Sequence, residues 1–447
     1  MKRLIFPQLQ RWKDDPKRKP ILLRGARQVG KTWIVRELGK SFPFFVEVNF
    51  ELYPEVREIF QQDLNPRRII RDLALLLEQP ITPGETLLFL DEIQGAPEAL
   101  NALRFFYEML PELHVIAAGS LLDFQLERIG MPVGRVISMY LHPMSFLEFL
   151  VARNQAVAAQ LILEHPGDTP LSPPLHRKML RLLGEYMAVG GMPEAVASWC
   201  ATESLEACRT VHYTLIDAYR QDFNKYARKY QIKYVGLLFD TVPALMGNIF
   251  QFSQIPGNYR ARDLRPALDL LEKAGLVHRV VHSAGQGIPL GAQANWKIFK
   301  LLFLDIGLAQ TILGLTSASW LLQPEKEFAN KGGLNEALVG QELIAYSPPN
   351  QKPQLYFWKR DKRGSNAEVD YLWQHDGEII PLEVKSSAPG RLKSLRLFLQ
   401  EHPHTPYGIR FAGLNYDRKD QLHSFPLYAV ARAIKPGFAS MEYLLKN

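Results

Sequence analysis

The run Gly25-Ala26-Arg27-Gln28-Val29-Gly30-Lys31-Thr32 directly follows the apolar stretch Ile21-Leu22-Leu23. Its spacing, G-x-x-x-x-G-K-T, is that of a phosphate-cradling loop. Such a run needs a strand before it and a helix after it, so that backbone N–H groups and a positive helix end converge on one anion. Pro20–Arg24 reads as a short buried strand, and Thr32–Lys40 reads as a helix that stops at Phe42-Pro43. In that setting residues 25–32 would hold the phosphates of ATP. Lys31 would reach the β- and γ-phosphates, and the Thr32 hydroxyl would join a Mg²⁺ shell.

A second run supports the first. Leu87-Leu88-Phe89-Leu90-Asp91-Glu92 is an apolar strand ending in two carboxylates. Asp91 at the strand's end would hold Mg²⁺, commonly through water, and Glu92 would orient or deprotonate the attacking water. A buried strand ending in a solvated acidic turn is the plainer alternative; the complete loop upstream weighs against it. Strands and helices alternate up to about residue 150, with further strands expected at Phe44–Phe50, Leu113–Gly119 and Val136–Leu141. This alternation predicts a parallel sheet covered on both faces, with ligands at the carboxyl ends of its strands. Ser120 falls at such an end, where it would sense the γ-phosphate or position water; a simple helix cap is its other reading.

Composition narrows the class of protein. A chain of 447 residues with 47% hydrophobic and 22% charged residues is globular in character, and its length corresponds to about three domains. The net charge of +7, from 53 basic and 46 acidic residues, permits nucleic-acid partners without requiring them. Cys200 and Cys208 are the two cysteines. They offer no disulfide framework or thiolate metal cluster, and a reducing cytoplasm is the expected setting. Met1-Lys-Arg-Leu-Ile-Phe-Pro7 breaks off too early for a signal segment. No apolar run approaches the ~20 residues that span a bilayer, so no membrane partner is expected. Glu401-His402-Pro403-His404 reads as a surface turn.

The middle of the chain begins at the Pro-rich connector Glu164–Pro174. Leu175–Ala201 reads as helical, interrupted at Gly190-Gly191-Met192-Pro193. Tyr219, Phe223, Tyr226, Tyr230 and Tyr234 then fall at i, i+4, i+7, i+11 and i+15, interleaved with Arg220, Lys225, Arg228, Lys229 and Lys233. One helical stripe of this kind is either a base-stacking platform or a packed aromatic seam with a charged flank. From about Tyr234 to His282, three helices precede strands, the order of a winged helix. Arg260, Arg262 and Arg265 gather near the start of the third helix, where they would touch DNA. Protein docking is the alternative use of such a module.

A second chemical centre lies near the end of the chain. Glu368-Val369-Asp370-Tyr371 and Ile379–Lys385 flank the turn signal Asp376-Gly377. Period-two alternation puts Glu383 and Lys385 on one strand face, and Asp370 on the paired strand can meet them. Asp370 and Glu383 would bind Mg²⁺ or Mn²⁺, and Lys385 would orient water and stabilise charge, as phosphodiester hydrolysis requires. The bland alternative is the charged face of a surface hairpin. Ser386-Ser387 starts or caps the next loop.

Taken together, these residues resemble the bacterial and archaeal AAA+-type ATPases that carry a DUF4143 C-terminal region. The resemblance rests on the residue 25–32 loop, Val48-Asn-Phe-Glu51, Leu90-Asp-Glu-Ile-Gln94, Gly119-Ser120, Gly134-Arg135, Leu141–Phe149 and Gly190–Glu194. Relatives often carry Thr-Gly-Ser-Ser where this chain has Ala118-Gly119-Ser120-Leu121. The resemblance implies that Arg135 serves as an arginine finger for a neighbouring subunit's nucleotide, which requires a homo-oligomer; a structural Arg paired with a carboxylate is the alternative. It also implies a helical lid beyond the ATPase core. The spacing Asp370-x12-Glu383-Val384-Lys385 resembles the PD-(D/E)xK nucleases, with Val369 in place of their proline. In that likeness Glu336, on an expected helix Leu334–Ala345, is the helical acidic metal ligand, and Glu342 is its less favoured substitute.

The expected fold is therefore α/β. A P-loop NTPase parallel sheet (1–155) and a helical lid or connector (156–232) would precede a winged-helix domain (233–320). A C-terminal α/β restriction-endonuclease-like domain (321–447) would follow. The expected function is ATP binding and hydrolysis coupled to a metal-dependent nuclease-like domain acting on nucleic acid, DNA first. A nucleotide-switched DNA- or protein-binding regulator that does not cleave is the alternative, and a ring-forming remodelling motor is a third reading.

Overall fold

A computed structural model describes residues 1–120, 122, 126, 134–362, 364–386, 392–435 and 438–445. Leu121 and Ser387 lie outside the described residues. The chain divides into two compact units: residues 2–142 with 348–352, and residues 143–347 with 353–447 and Met1.

The first unit is built on five strands: β1 (Ile21–Arg24), β2 (Phe44–Asn49), β3 (Thr86–Asp91), β4 (His114–Ala118) and β5 (Ile137–Tyr140). All are parallel, in the order β2-β3-β4-β1-β5. Every residue of β3 and β4 is buried, as a parallel sheet covered on both faces demands. Leu88 and Leu90 join one core with Phe60, Ile69, Leu73, Leu103 and Phe106 from three helices. Period-two alternation turns Leu87 and Phe89 to the opposite face. The order matters for function. β4 runs between β1 and β3, so Gly119-Ser120 emerges between the loop that follows β1 and the carboxylates that end β3.

The second unit holds one eight-stranded mixed sheet. Its strands are β6 (Val277–Ser283), β7 (Ala294–Phe303), β8 (Leu355–Lys359), β9 (Glu368–His375), β10 (Glu378–Val384), β11 (Gly408–Ala412), β12 (Asp417–Lys419) and β13 (Leu422–Pro426). They are ordered β12-β13-β11-β10-β9-β8-β6-β7. β6, which follows the helices expected to form a winged helix, pairs with β7. β6 also pairs in parallel with β8, which covers an edge that would otherwise expose a row of unpaired backbone groups. β6 and β7 thus share one sheet with the carboxylate-bearing hairpin. That hairpin turns at Asp376 (φ 48°) and Gly377 (φ 81°), as its sequence predicts.

Several local expectations change on folding. The aromatic stripe is not one helix, because helix Leu205–Tyr226 ends at Ala227 in extended backbone and a new helix, Lys229–Leu245, begins. Tyr219 and Phe223 are buried against Phe239, whereas Tyr230 is exposed and Tyr234 meets Tyr259. Tyr219 and Phe223 therefore form a packed seam. Arg260, Arg262 and Arg265 are exposed at the start of helix Ala261–Lys273, whose Leu264, Leu268 and Leu271 are buried. His402 is buried, not on a surface turn: it stacks on Phe398 at 3.8 Å. The Gly190-Gly191 interruption has a reason. A Cβ on Gly190 (φ 75°) would stand 2.3 Å from Asp305 Oδ1, and the Gly191 N–H donates to Asp305 Oδ2 at 2.6 Å. Asp305 also caps helix Ile306–Ile312 through the Leu308 N–H. No described helix is long and apolar enough to cross a membrane.

Candidate functional site

The loop after β1 takes the backbone shape its glycines permit. Gly25 (φ 151°) and Gly30 (φ 96°) have positive φ, as does Gln28 at 63°. A Cβ on Gly25 would stand 2.2 Å from the carbonyl oxygen of Leu141, so the position accepts only glycine. Ala26 and Val29 are buried beneath the loop, Arg27 is half-buried and Gln28 exposed. The Arg3 guanidinium braces the loop by donating to the Val29 carbonyl at 2.8 Å and to that of His142 at 2.6 Å. Helix Lys31–Gly39 starts where the loop closes.

Lys31 is buried, and its Nζ donates to the carbonyls of Gly25 (3.0 Å) and Ala26 (2.9 Å). Burial lowers its pKa to about 8, against the opposing pull of Glu92 and Asp91. Thr32 Oγ1 donates to Asp91 Oδ2 at 2.9 Å. Burial raises the Asp91 pKa to about 6, while the Thr32 hydrogen bond works the other way. A hydroxyl and a carboxylate held this close form a hard, oxygen-only donor pair of the type Mg²⁺ takes beside a nucleotide. Glu92 has left-handed backbone (φ 50°), and its Oε2 accepts from the Gln94 side-chain amide. Gln94 lies under Gly119, where a Cβ would stand 2.1 Å from Gln94 Oε1. Ser120 is buried at the end of β4.

The sheet brings residues 25–32, Asp91, Glu92 and Ser120 to one edge. Arg135 lies at the other. It precedes β5, whose Ile137 is level with Ile21 at the start of β1, and its Nε donates to Glu108 Oε1 at 3.1 Å. It therefore does not face the loop of its own chain. Gln94 belonged to the run Leu90–Gln94 that carries the family resemblance, but its sequence position gave it no role; its place three residues beyond the strand-ending Asp91 was the available signal.

In the second unit the hairpin carboxylates converge. Val384 N–H donates to Asp370 Oδ2 at 2.7 Å, and Lys385 Nζ pairs with Glu383 Oε1. Glu336 lies on helix Gly332–Ala345, tied down by Tyr371, whose hydroxyl donates to the Glu336 carbonyl at 2.8 Å. Glu342, on the same helix, points elsewhere: its Oε1 accepts from the Phe146 N–H (2.8 Å) and the Tyr186 hydroxyl (3.2 Å).

A group that sequence reasoning missed stands among these carboxylates. Lys300 of β7 is buried, with Nζ 2.8 Å from Glu336 Oε1, 2.5 Å from Glu368 Oε1 and 3.5 Å from Asp370 Oδ1. Glu336 is thus engaged by an ammonium. Burial and the nearby Asp370 push the Glu336 pKa to about 8 and that of Glu383 to about 7. Glu383 Oε2 is buried without a hydrogen-bond partner. Among the described residues, no three acidic, imidazole or thiol groups converge to hold a metal by themselves. Asp370 and Glu383, hard oxygen donors on paired strands, are the residues that would hold a divalent ion there. Four carboxylates, Glu336, Glu368, Asp370 and Glu383, face two ammonium groups there, Lys300 and Lys385.

Comparison with known proteins agrees with the first unit's geometry. Residues 17–150 match the AAA domain family. The chain carries an AAA-type ATPase domain. Residues 180–319 match a domain of unknown function (DUF8612), and residues 331–430 match another (DUF4143). No curated protein matches the sequence. Among solved structures, the Walker-type ATPase PABY2304 of Pyrococcus abyssi is 17% identical with a TM-score of 0.44, covering 69% of this chain and 94% of its own. PCH-2 of C. elegans is 13% identical with a TM-score of 0.27, covering 46% of this chain and 66% of its own.

Proposed function

We propose that this protein binds and hydrolyses ATP at the first unit's loop and uses the nucleotide state to govern a nuclease-like second unit that acts on nucleic acid. The observation that carries the ATP half is the Thr32–Asp91 pair at 2.9 Å beside the buried Lys31. Lys31 would hold the β- and γ-phosphates, residues 25–30 would present backbone N–H groups to them, and Thr32 and Asp91 would hold the Mg²⁺ that neutralises their charge. Glu92, held by Gln94, would direct water at the γ-phosphate, and Ser120 would sense that group or position the water. Arg135, on the far edge of its own sheet, acts in trans within a homo-oligomer.

For the second half, support comes from Asp370, Glu383 and Lys385 meeting on one hairpin. Asp370 and Glu383 would hold a Mg²⁺ or Mn²⁺ ion, which would supply polarisation of the phosphate, and Lys385 would stabilise charge on the phosphate oxygens. Exposed Arg260, Arg262 and Arg265 supply phosphate contacts. Digestion of assorted DNA and RNA with Mg²⁺ or Mn²⁺, with and without ATP, is the test. Cleavage by the wild type and its loss in Glu383→Ala and Lys385→Ala are expected. Equal cutting by those variants would remove the assignment. The second reading, an ATP-switched binder that does not cleave, is favoured by the Lys300 ammonium among the carboxylates. It gives nucleic-acid affinity that changes with ATP and no strand scission.

A further inference from the structure

We propose that Lys300 is the resident cation of the second unit's acidic pocket, occupying one of two cation positions and leaving room for a single external divalent ion. An ammonium has three N–H donors, and Lys300 turns its Nζ to three carboxylates from two different elements, Glu336, Glu368 and Asp370. Its Nζ also lies 5.2 Å from the centroid of the Phe357 ring. A buried structural ion pair needs one carboxylate per ammonium, since every extra buried charge adds desolvation cost. Here the carboxylates outnumber that need.

β7 stands three strands from β9 in the sheet, with β6 and β8 between them, yet Lys300 Nζ meets both Glu368 and Asp370. Two-metal phosphodiester sites hold their ions about 3.5–4 Å apart and share carboxylates between them. In this pocket Asp370 has one oxygen on the Val384 N–H and the other near Lys300. Glu383 keeps a buried oxygen without a partner. One cation position is therefore filled from within the chain, and the buried oxygen left to a second cation is that of Glu383. This holds whether or not the unit cuts nucleic acid, and its test does not read cleavage.

The test compares nucleotide-free wild type with Lys300→Met in EDTA and in millimolar Mn²⁺, reading thermal unfolding and the Mn²⁺ stoichiometry by electron paramagnetic resonance. Wild type stays folded in EDTA and binds one Mn²⁺ in the second unit. Lys300→Met unfolds about 10 °C lower in EDTA, as loss of one partner from a buried ion cluster implies. Mn²⁺ restores most of that loss, with one more ion bound than in wild type. Unchanged unfolding in EDTA, or a loss that Mn²⁺ does not reverse, would overturn the proposal. If Lys300→Met fails to fold, Lys300→Met combined with Glu336→Gln and Glu368→Gln removes the excess charge. It is expected to fold in EDTA and bind no extra Mn²⁺; failure to fold there also overturns the proposal.

Discussion

Replacing Lys31 by methionine separates its cost to the fold from its service to the ligand. The buried ammonium has its pKa lowered from 10.5 to about 8, mainly by desolvation. At about 1.4 kcal/mol per tenfold change, holding that charge costs the nucleotide-free unit roughly 3 kcal/mol. Its hydrogen bonds to the Gly25 and Ala26 carbonyls return a similar amount, at about 1.5–3 kcal/mol each for a charged donor. Lys31→Met is therefore expected to change nucleotide-free thermal stability by only a few degrees. Two charged hydrogen bonds to phosphate are lost on the ligand side, so ATP affinity should fall at least about 100-fold. Calorimetry adds a pH signature. Bound phosphates raise the Lys31 pKa, so wild-type binding takes up a proton and weakens as pH rises through about 8. Titrations in buffers of different ionisation enthalpy measure that uptake. Affinity that is level from pH 7 to 9.5 with no proton uptake would refute the reasoning, as would a collapse of the Lys31→Met fold.

Gly25→Ala forces a Cβ to 2.2 Å from the Leu141 carbonyl at a φ of 151°. It should cost about 2–4 kcal/mol in chemical denaturation and abolish binding of a fluorescent ATP analogue. Asp91 acts ionised and in the free protein has its pKa raised to about 6, so kcat/KM for Mg²⁺-dependent hydrolysis should fall about tenfold per pH unit below 6. Gln94→Ala releases the Glu92 carboxylate. It should lower kcat about 10- to 100-fold with KM unchanged, because Gln94 positions the group that directs water.

What was legible in the sequence was local. Gly25, Gly30, Lys31 and Thr32 act within one loop and one helix start, so their spacing carries their geometry. Asp91-Glu92 needed only a strand with an end, and the Asp370–Glu383–Lys385 meeting needed only a two-residue turn and a period of two. Lys300 was hidden because its partners lie 36 to 70 positions later, one on a helix and two on a strand three places across the sheet, a relation that depends on strand order. The break at Ala227 was hidden for another reason: no Gly or Pro marks it, and the aromatic spacing runs through it undisturbed. Gly190-Gly191 was visible as an interruption, but its purpose emerged only with Asp305, more than a hundred positions away. Arg135 was placed by resemblance, and its distance from its own loop follows from strand direction.

ATP turnover by Glu92→Gln, measured beside its ATP affinity, tests most directly whether the first unit is a hydrolytic centre. The amide keeps the size of the side chain but cannot take a proton from water. Binding within a few fold of wild type, with turnover reduced at least about 100-fold, is the predicted result. Turnover equal to wild type would contradict the assignment of Glu92 and the hydrolytic geometry built on it.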